Sequence, residues 1–285
     1  MPGTLFVVAT PIGNLDDITL RAVRILGEVD LIAAEDTRTT RVLLEHLGVR
    51  KPLVSYFSHN ERRRSHELVD ALRKGSAVAL VTDAGTPGIS DPAWAVVRES
   101  IDAGIPVVPA PGPSALLAAL VISGLPTERF VFEGFLPLKK GRKTRLAALA
   151  GEPRTIVLYE SPHRIERTLE EVRGAMGDRQ VALVREVTKK FEEVRRGSVS
   201  EVIAALHGRP PRGEFVLVIG PPPADAQVLT AEALDELLRE ALADHSVKDA
   251  VAHAVELSGR PRREVYARAL ELSKQISQKG QHGED

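Results

Sequence analysis

Four short segments of this chain, three of them rich in glycine and proline, place polar side chains directly after an apolar run. They read Thr10-Pro11-Ile12-Gly13-Asn14-Leu15, Glu35-Asp36-Thr37-Arg38, Thr82-Asp83-Ala84-Gly85-Thr86-Pro87-Gly88-Ile89-Ser90-Asp91-Pro92 and Pro109-Ala110-Pro111-Gly112-Pro113-Ser114-Ala115. Glycine lacks a Cβ, so Gly85, Gly88 and Gly112 let a ligand lie against main chain. Gly and Pro also make plain turns, but four such loops on one edge of a sheet argue for a site, with carboxylates from Glu35, Asp36, Asp83 and Asp91 close by. Several familiar chemistries are excluded. No G-x-G-x-x-G follows a strand, and the stretch from Gly134 to Gly141-Arg142-Lys143-Thr144 is two residues too long for a phosphate loop and carries an inserted Arg. Gly88-Ile89-Ser90 runs into Asp91-Pro92, so it is no nucleophile elbow. There is no H-E-x-x-H, and the eight histidines show no metal-ligand spacing, so no metal is implied.

Strands must carry those loops. Apolar runs at 5–9, 31–34, 53–56, 77–81 and 106–109 alternate with helical patterns. One helix is expected from Asp91-Pro92, an N-cap with proline at N1, with Trp94, Val97 and Ile101 on one face up to Gly104. Another runs from Asn60 to just before Gly75. This order predicts an open, largely parallel α/β sheet, in which ligands bind beyond the carboxyl ends of the strands. After Leu125-Pro126 a second unit shows strand-like runs at 130–135, 155–159, 181–184, 191–195 and 215–220. Its helix, 162–176, places Ile165, Leu169, Val172 and Met176 on one face. A hairpin between 181–187 and 191–196 makes a mixed sheet with helices. Pro221-Pro222-Pro223 reads as a linker. Three helical patterns follow, and the last two, joined by Ser258-Gly259-Arg260-Pro261, suggest a helix-turn-helix whose second member opens on Arg262-Arg263. The expected domains are 1–118, parallel α/β; 119–223, mixed α/β; 224–278, a helical module; and 279–285, a disordered tail.

With 285 residues, 43% of them hydrophobic and only 4% aromatic, the chain has material for two or more aliphatic cores. Cysteine is absent, which removes disulfide frameworks, thiolate metal sites and cysteine nucleophiles. No apolar run reaches the roughly 18 residues of a membrane span. The segment 1–9 lacks a basic leader and reads as a strand, so a cytoplasmic protein without membrane association is expected. The net charge of −1 conceals an asymmetry: residues 138–198 hold 15 Lys and Arg against 9 Asp and Glu, a net +6. A basic middle of this kind points to a polyanionic partner.

The four loops, with Ser58-His59-Asn60, Tyr159-Glu160-Ser161-Pro162-His163-Arg164 and Arg185-Glu186-Val187-Thr188-Lys189, resemble the tetrapyrrole methylase family over residues 4–220. Within it they are closer to the branch that methylates ribosomal RNA. The tetrapyrrole branch carries a glycine-rich loop after its first strand, and many relatives have Gly-Asp-Pro where this chain has Asp83-Ala84-Gly85. The resemblance implies two α/β domains with S-adenosyl-L-methionine (AdoMet) in the cleft between them. It implies 2′-O-methylation of a cytidine ribose in the decoding centre of 16S rRNA, within the small ribosomal subunit, by a homodimer. The competing readings are a tetrapyrrole C-methyltransferase and a non-catalytic RNA-binding assembly factor. By position, the resemblance assigns the cofactor to Pro11, Ile12, Asp83, Thr86, Ser114, Ala115, Tyr159, Glu160 and Gly213.

Methyl transfer from a sulfonium releases a neutral thioether, so in-line positioning carries much of the rate. A ribose hydroxyl is a weak acid, and a base assists it. Glu35, Asp36 and Glu160 are candidates for a base or for orienting the ribose, with Lys189 to neutralise charge. Glu35 or Asp36 can instead hold Arg38 in a salt bridge, and Asp91 is read as a helix cap. RNA contact is expected at Lys139, Lys140, Arg142 and Lys143, at Arg62 and Arg63, at Arg38, and at Arg262 and Arg263, where phosphate contacts give affinity without sequence information.

Overall fold

The computed structural model describes residues 2–208, 210–223, 231–258 and 262–280. Strands β1 (Leu5–Val8), β2 (Leu31–Ala34), β3 (Leu53–Ser55), β4 (Val78–Val81) and β5 (Val107–Ala110) form one parallel sheet in the order β3-β2-β4-β1-β5. Helices α1 (Leu20–Glu28), α2 (Thr37–His46), α3 (Glu61–Arg73) and α4 (Trp94–Asp102) cover it. Both faces are buried, which is why β4 is an unbroken Val-Ala-Leu-Val run rather than an alternating one. Two aliphatic clusters result, one including Leu68, Leu72 and Val96, the other Ile25, Leu26 and Leu44.

Helix α4 departs from the expectation. It starts at Trp94 with Ala93 in the cap position, and Asp91 instead accepts the Gly88 N–H at 2.5 Å, closing the loop before it. Val96 and Ser100 are buried, whereas Trp94 is 76% exposed and Ile101 is exposed. Two apolar stripes overlap in this segment, and the one that includes Ala93 and Val96 meets the sheet.

The second sheet holds β6 (Phe130–Phe135), β7 (Thr155–Glu160), β8 (Gln180–Arg185), β9 (Glu193–Ser198) and β10 (Phe215–Ile219), ordered β6-β7-β10-β8-β9. Only β6 and β7 are parallel; the other pairs are antiparallel, so the sheet is mixed as expected. Strand β9 starts two residues later than predicted because Arg185 pairs with Glu193, leaving 186–192 as the connection and Phe191 exposed in it. Helices α6 (Arg142–Ala150), α7 (Ile165–Met176) and α8 (Val199–Leu206) pack on one face. Helix α5 (Ala115–Ile122), which follows the last strand of the first sheet, packs Leu116, Ala119 and Leu120 on the other face, against Val157, Val184 and Val216. The two sheets thereby belong to one compact unit, residues 1–150 and 154–220.

A second unit comprises residues 151–153 and 221–285. In it α9 (Ala231–Asp244), α10 (Val247–Ser258) and α11 (Arg262–Gly280) bury their own cluster, with Leu238, Val251, Val265 and Leu272 at its centre. Arg268 on α11 donates from Nε to Asp235 of α9 at 2.6 Å. Helix α11 runs to Gly280, past the expected end at 278. The connecting residues 259–261 and the tail 281–285 lie outside the described residues.

Candidate active site

The carboxyl ends of β1, β2 and β4 bring three of the four loops side by side, and hydrogen bonds stitch them together. Thr10 and Gly85 form an isolated antiparallel bridge, with N–H to C=O distances of 2.9 and 3.1 Å, and Thr10 Oγ1 donates to the Thr82 carbonyl at 3.0 Å. Thr82 Oγ1 donates to Glu35 at 2.6 Å, and Asp83 accepts the Asp36 N–H at 2.8 Å. Thr86 Oγ1 donates to the Pro113 carbonyl at 3.1 Å, tying in the loop after β5. From the second sheet, Tyr159 at the end of β7 accepts the Leu116 N–H at 3.1 Å, next to the Ser114 cap of α5.

Between these loops and the second sheet lies a cleft of about 530 Å³, within the range of small-molecule sites. Ala84, Gly85, Ser114 and Ala115 give it a small-residue wall, and Ile12, Phe135, Val184 and Val216 an apolar one. Glu35, Asp83, Asp91, Glu186 and Lys189 supply charge. Of the nine residues assigned to the cofactor, seven line this cleft: Ile12, Asp83, Thr86, Ser114, Ala115, Tyr159 and Glu160. Pro11 does not; it lines an adjoining cavity of about 430 Å³ that shares Ile12, Asp83, Lys189 and Glu214 with the cleft. Gly213 lies behind the wall: a Cβ there, at a φ of +85°, would fall 2.5 Å from the Glu186 carboxyl carbon.

The candidate catalytic side chains separate by environment. Asp36 caps α2, accepting the Arg38 N–H at 2.7 Å, and takes Arg38 Nε as well. The hydrogen bonds from Arg38 lower its pKa to about 2, which makes it a poor proton acceptor. Glu160 is buried, with its side chain 1% exposed, and is held by Arg164 at 3.1 Å and Thr168 Oγ1 at 2.6 Å. It is therefore a structural anchor rather than a base. Glu35 lines the cleft directly. Lys189 Nζ sits 2.6 Å from Glu214 and 3.0 Å from Glu186. Burial works against its charge, but the hydrogen bonds it donates to these two carboxylates outweigh it and hold its pKa above the ordinary value. Its aliphatic stem lies against Gly13, where a Cβ would fall 2.4 Å from Lys189 Cγ. Burial pushes up the pKa values of Asp83 and Asp91, which line the cleft.

Glu186, Val187, Ser90 and Phe135 also line the cleft; the first three stand in segments that carry the family resemblance, but sequence reasoning assigns none of the four a site role. Ser90, Glu186 and Thr188 are the non-glycine residues with positive φ among those described, at 68°, 50° and 68°. Backbone of this kind costs energy and concentrates at functional sites. Its sequence signal is weak in Arg185-Glu186-Val187-Thr188-Lys189, which has no turn composition at the strained residues, and in the 82–92 loop the many turn residues do not single out Ser90.

The basic residues are divided too. Lys139, Lys140 and Lys143 are exposed just beyond β6. Phe135 lines both the cleft and a groove with Gly141, Thr144 and Arg145, so this turn borders the cleft. Arg142, expected on the same face, is 2% exposed. It donates to Glu171 at 2.5 Å, to Thr168 Oγ1 at 2.6 Å and to the Pro137 carbonyl at 3.2 Å. Position 142 starts a helix whose inner face meets α7, so its side chain turns inward and leaves the lysines outside. Arg38, Arg62 and Arg63 are exposed on the first-sheet helices, Arg63 facing Glu67 at 3.6 Å. Arg262 and Arg263 are exposed at the start of α11, in the other compact unit.

Comparison with known proteins places this geometry. The tetrapyrrole (corrin/porphyrin) methylase family matches residues 4–203, and the RsmI C-terminal HTH domain matches residues 227–273. The ribosomal RNA small subunit methyltransferase I of Mesorhizobium japonicum is 45% identical, covering 98% of this chain and 95% of its own length. The protein of that name from Thermotoga maritima is 48% identical over 76% of this chain and 98% of its own length, leaving uncovered about as many residues as the helical unit holds. Uroporphyrin-III C-methyltransferase from Thermus thermophilus, solved with S-adenyl homocysteine, shares the fold at a TM-score of 0.54 and 24% identity, covering 76% of this chain and 97% of its own. Among the described residues no helix is long and apolar enough to cross a membrane.

Proposed function

The chain belongs to the ribosomal RNA small subunit methyltransferase I family, within the tetrapyrrole methylases, and from that premise we propose that it methylates the ribose 2′-hydroxyl of a cytidine in the decoding centre of 16S rRNA, with AdoMet as donor. The observation that carries the reading is the cleft itself: a small-residue wall and an apolar wall line it, Glu35 and Lys189 both face it, and a groove formed in part by the lysine-bearing turn meets it at Phe135.

The residues present suit AdoMet. Ala84, Gly85 and Ala115 leave room for close main-chain approach, Ile12, Val184 and Val216 offer an apolar bed for a purine ring, and Asp83 offers a carboxylate for hydroxyl or ammonium groups. When bound, AdoMet supplies an electrophilic methyl group on a sulfonium centre. Thr86, Ser114 and Tyr159 are fixed by their own hydrogen bonds and hold the loops in register, which keeps the cost of ordering out of the reaction. Glu35 accepts the proton of the ribose hydroxyl or orients it. Lys189, kept as an ammonium by Glu186 and Glu214, offsets negative charge on the 2′-oxygen from the side of the adjoining cavity. Lys139, Lys140 and Lys143 hold phosphates of the substrate. The reading extends to a cytoplasmic homodimer, in keeping with the exposed Leu117 and Val121 one turn apart on α5.

The test is incubation of isotopically labelled AdoMet with purified small subunits and, in parallel, with uroporphyrinogen, followed by mapping of the label. A single 2′-O-methylcytidine supports the reading. Label that appears only on uroporphyrinogen, or no transfer despite AdoMet binding, overturns it.

A further inference from the structure

On the face of the second sheet away from α5, at the end where β8 finishes and β9 and β10 begin, a small cavity of about 220 Å³ is ringed by Arg185, Arg195 and Arg212. Its floor is apolar, from Leu206 and Phe215, and Glu193 is the carboxylate that lines it. Glu193 is already shared: Arg195 Nε donates to it at 2.7 Å, and Arg185 approaches it at 3.5 Å. Arg185 Nε is also held by the Arg212 carbonyl at 2.7 Å, which fixes that loop against the strand. The exposed Arg212 guanidinium forms no ion pair among the described residues. Three permanent positive charges thus face one carboxylate in a recess floored by hydrocarbon. Guanidinium groups bind phosphate through paired N–H donors.

Strand register places this recess relative to the cleft. Phe135, Glu160, Phe215, Arg185 and Glu193 mark the same end of the five strands, through the pairs Phe135↔Tyr159, Phe215↔Glu160, Phe215↔Arg185 and Arg185↔Glu193. The Lys139–Lys143 turn leaves the β6 edge at this end, and the arginines sit toward the β9 edge. Four inter-strand spacings separate the two edges, about 19 Å. Phe215 lines both the cleft and the arginine recess.

Resting on the RNA-methylation reading above, we propose that the Arg185–Arg195–Arg212 recess binds a backbone phosphate of the RNA substrate, so that the strand is held on both sides of the cleft. One side is the lysine turn and the other is this recess. A phosphate seated here supplies the anion that the Arg212 guanidinium lacks and that Arg185 and Arg195 otherwise share in Glu193.

The experiment uses the full-length protein with purified small subunits and compares the unaltered protein with Arg212→Ala and Arg212→Glu. Both substitutions keep the main-chain carbonyl that holds Arg185. Thermal unfolding and AdoMet binding serve as controls and are expected to be unchanged. Subunit binding is expected to weaken about tenfold in Arg212→Glu, and the slope of log affinity against log salt is expected to fall by about one in Arg212→Ala. Unaltered affinity and slope in both variants, with methylation by the unaltered protein intact, overturn the recess alone. Failure of the unaltered protein to bind or methylate subunits overturns the functional reading and the recess with it. If the variants lose AdoMet binding or stability, the recess is a structural feature and the proposal is wrong.

Discussion

Glu35 and Asp36 are neighbours in the chain and differ in what surrounds them. Asp36 is engaged by Arg38 and the first turn of α2, whereas Glu35 lines the cleft. Glu35→Gln keeps the Thr82 hydrogen bond and removes the proton acceptor. A positioned base is worth about 10²–10⁴ in rate, so kcat is expected to fall by at least about 100-fold with AdoMet affinity unchanged; a kcat within twofold would assign Glu35 to structure alone. Asp36 has a folded pKa of about 2, below its ordinary 3.8. Its contribution to stability is therefore fully present above about pH 4 and is lost as the pH falls toward 2. Asp36→Asn is expected to flatten that part of the acid unfolding curve and to leave the shape of the pH–rate profile between pH 6 and 9 unaltered. Both are read by titrated unfolding and by initial rates.

At the scale of elements, α6 shows how one helix start divides a basic cluster by side-chain direction. Arg142 is locked under the helix by Glu171, Thr168 and the Pro137 carbonyl, with Glu160 3.7 Å away. Removing one partner of a buried charge network is costly, so Arg142→Ala is expected to lower stability by about 3–5 kcal/mol, measured by denaturant unfolding. The triple change of Lys139, Lys140 and Lys143 to Ala is expected to leave the unfolding midpoint in place. It should reduce the salt slope of subunit binding by about one for each phosphate that these lysines neutralise. An unchanged slope would make the turn a solvated surface. From sequence, the run Lys139-Lys140-Gly141-Arg142-Lys143 looks uniform; helical periodicity places 142, 146 and 149 inward together.

The whole molecule consists of an α/β unit with its own cores and a helical unit with its own. The Thermotoga relative matches the chain over a length close to that of the α/β unit alone. Deleting 224–285 is therefore expected to leave a folded protein that binds AdoMet. Its kcat/KM on small subunits should fall through KM, because Arg262 and Arg263 leave with the helices. Calorimetry with AdoMet and methylation at graded subunit concentrations check this. Loss of folding, or an unchanged KM, would remove any docking role from the tail.

Much of this arrangement is legible in the amino-acid sequence. Short apolar runs alternating with helical patterns read as buried parallel strands, which sends the loops after them to one sheet edge, and Ile12, Asp83, Thr86, Ser114 and Ala115 do line one cleft. Local pattern determines which edge a loop occupies, because the strand carries the loop with it. Local pattern does not determine what a polar side chain meets once there. Asp91 closes a loop instead of capping α4, Glu160 is held beneath Arg164, Arg142 turns inward and Gly213 gives room to Glu186. Arg142 and Gly213 depend on partners nearly thirty residues away, and Asp91 and Glu160 on turn geometry that sets which nearby group each side chain reaches. An ionisable group's solvation, and hence its capacity for proton transfer or phosphate binding, exists only after the elements have packed.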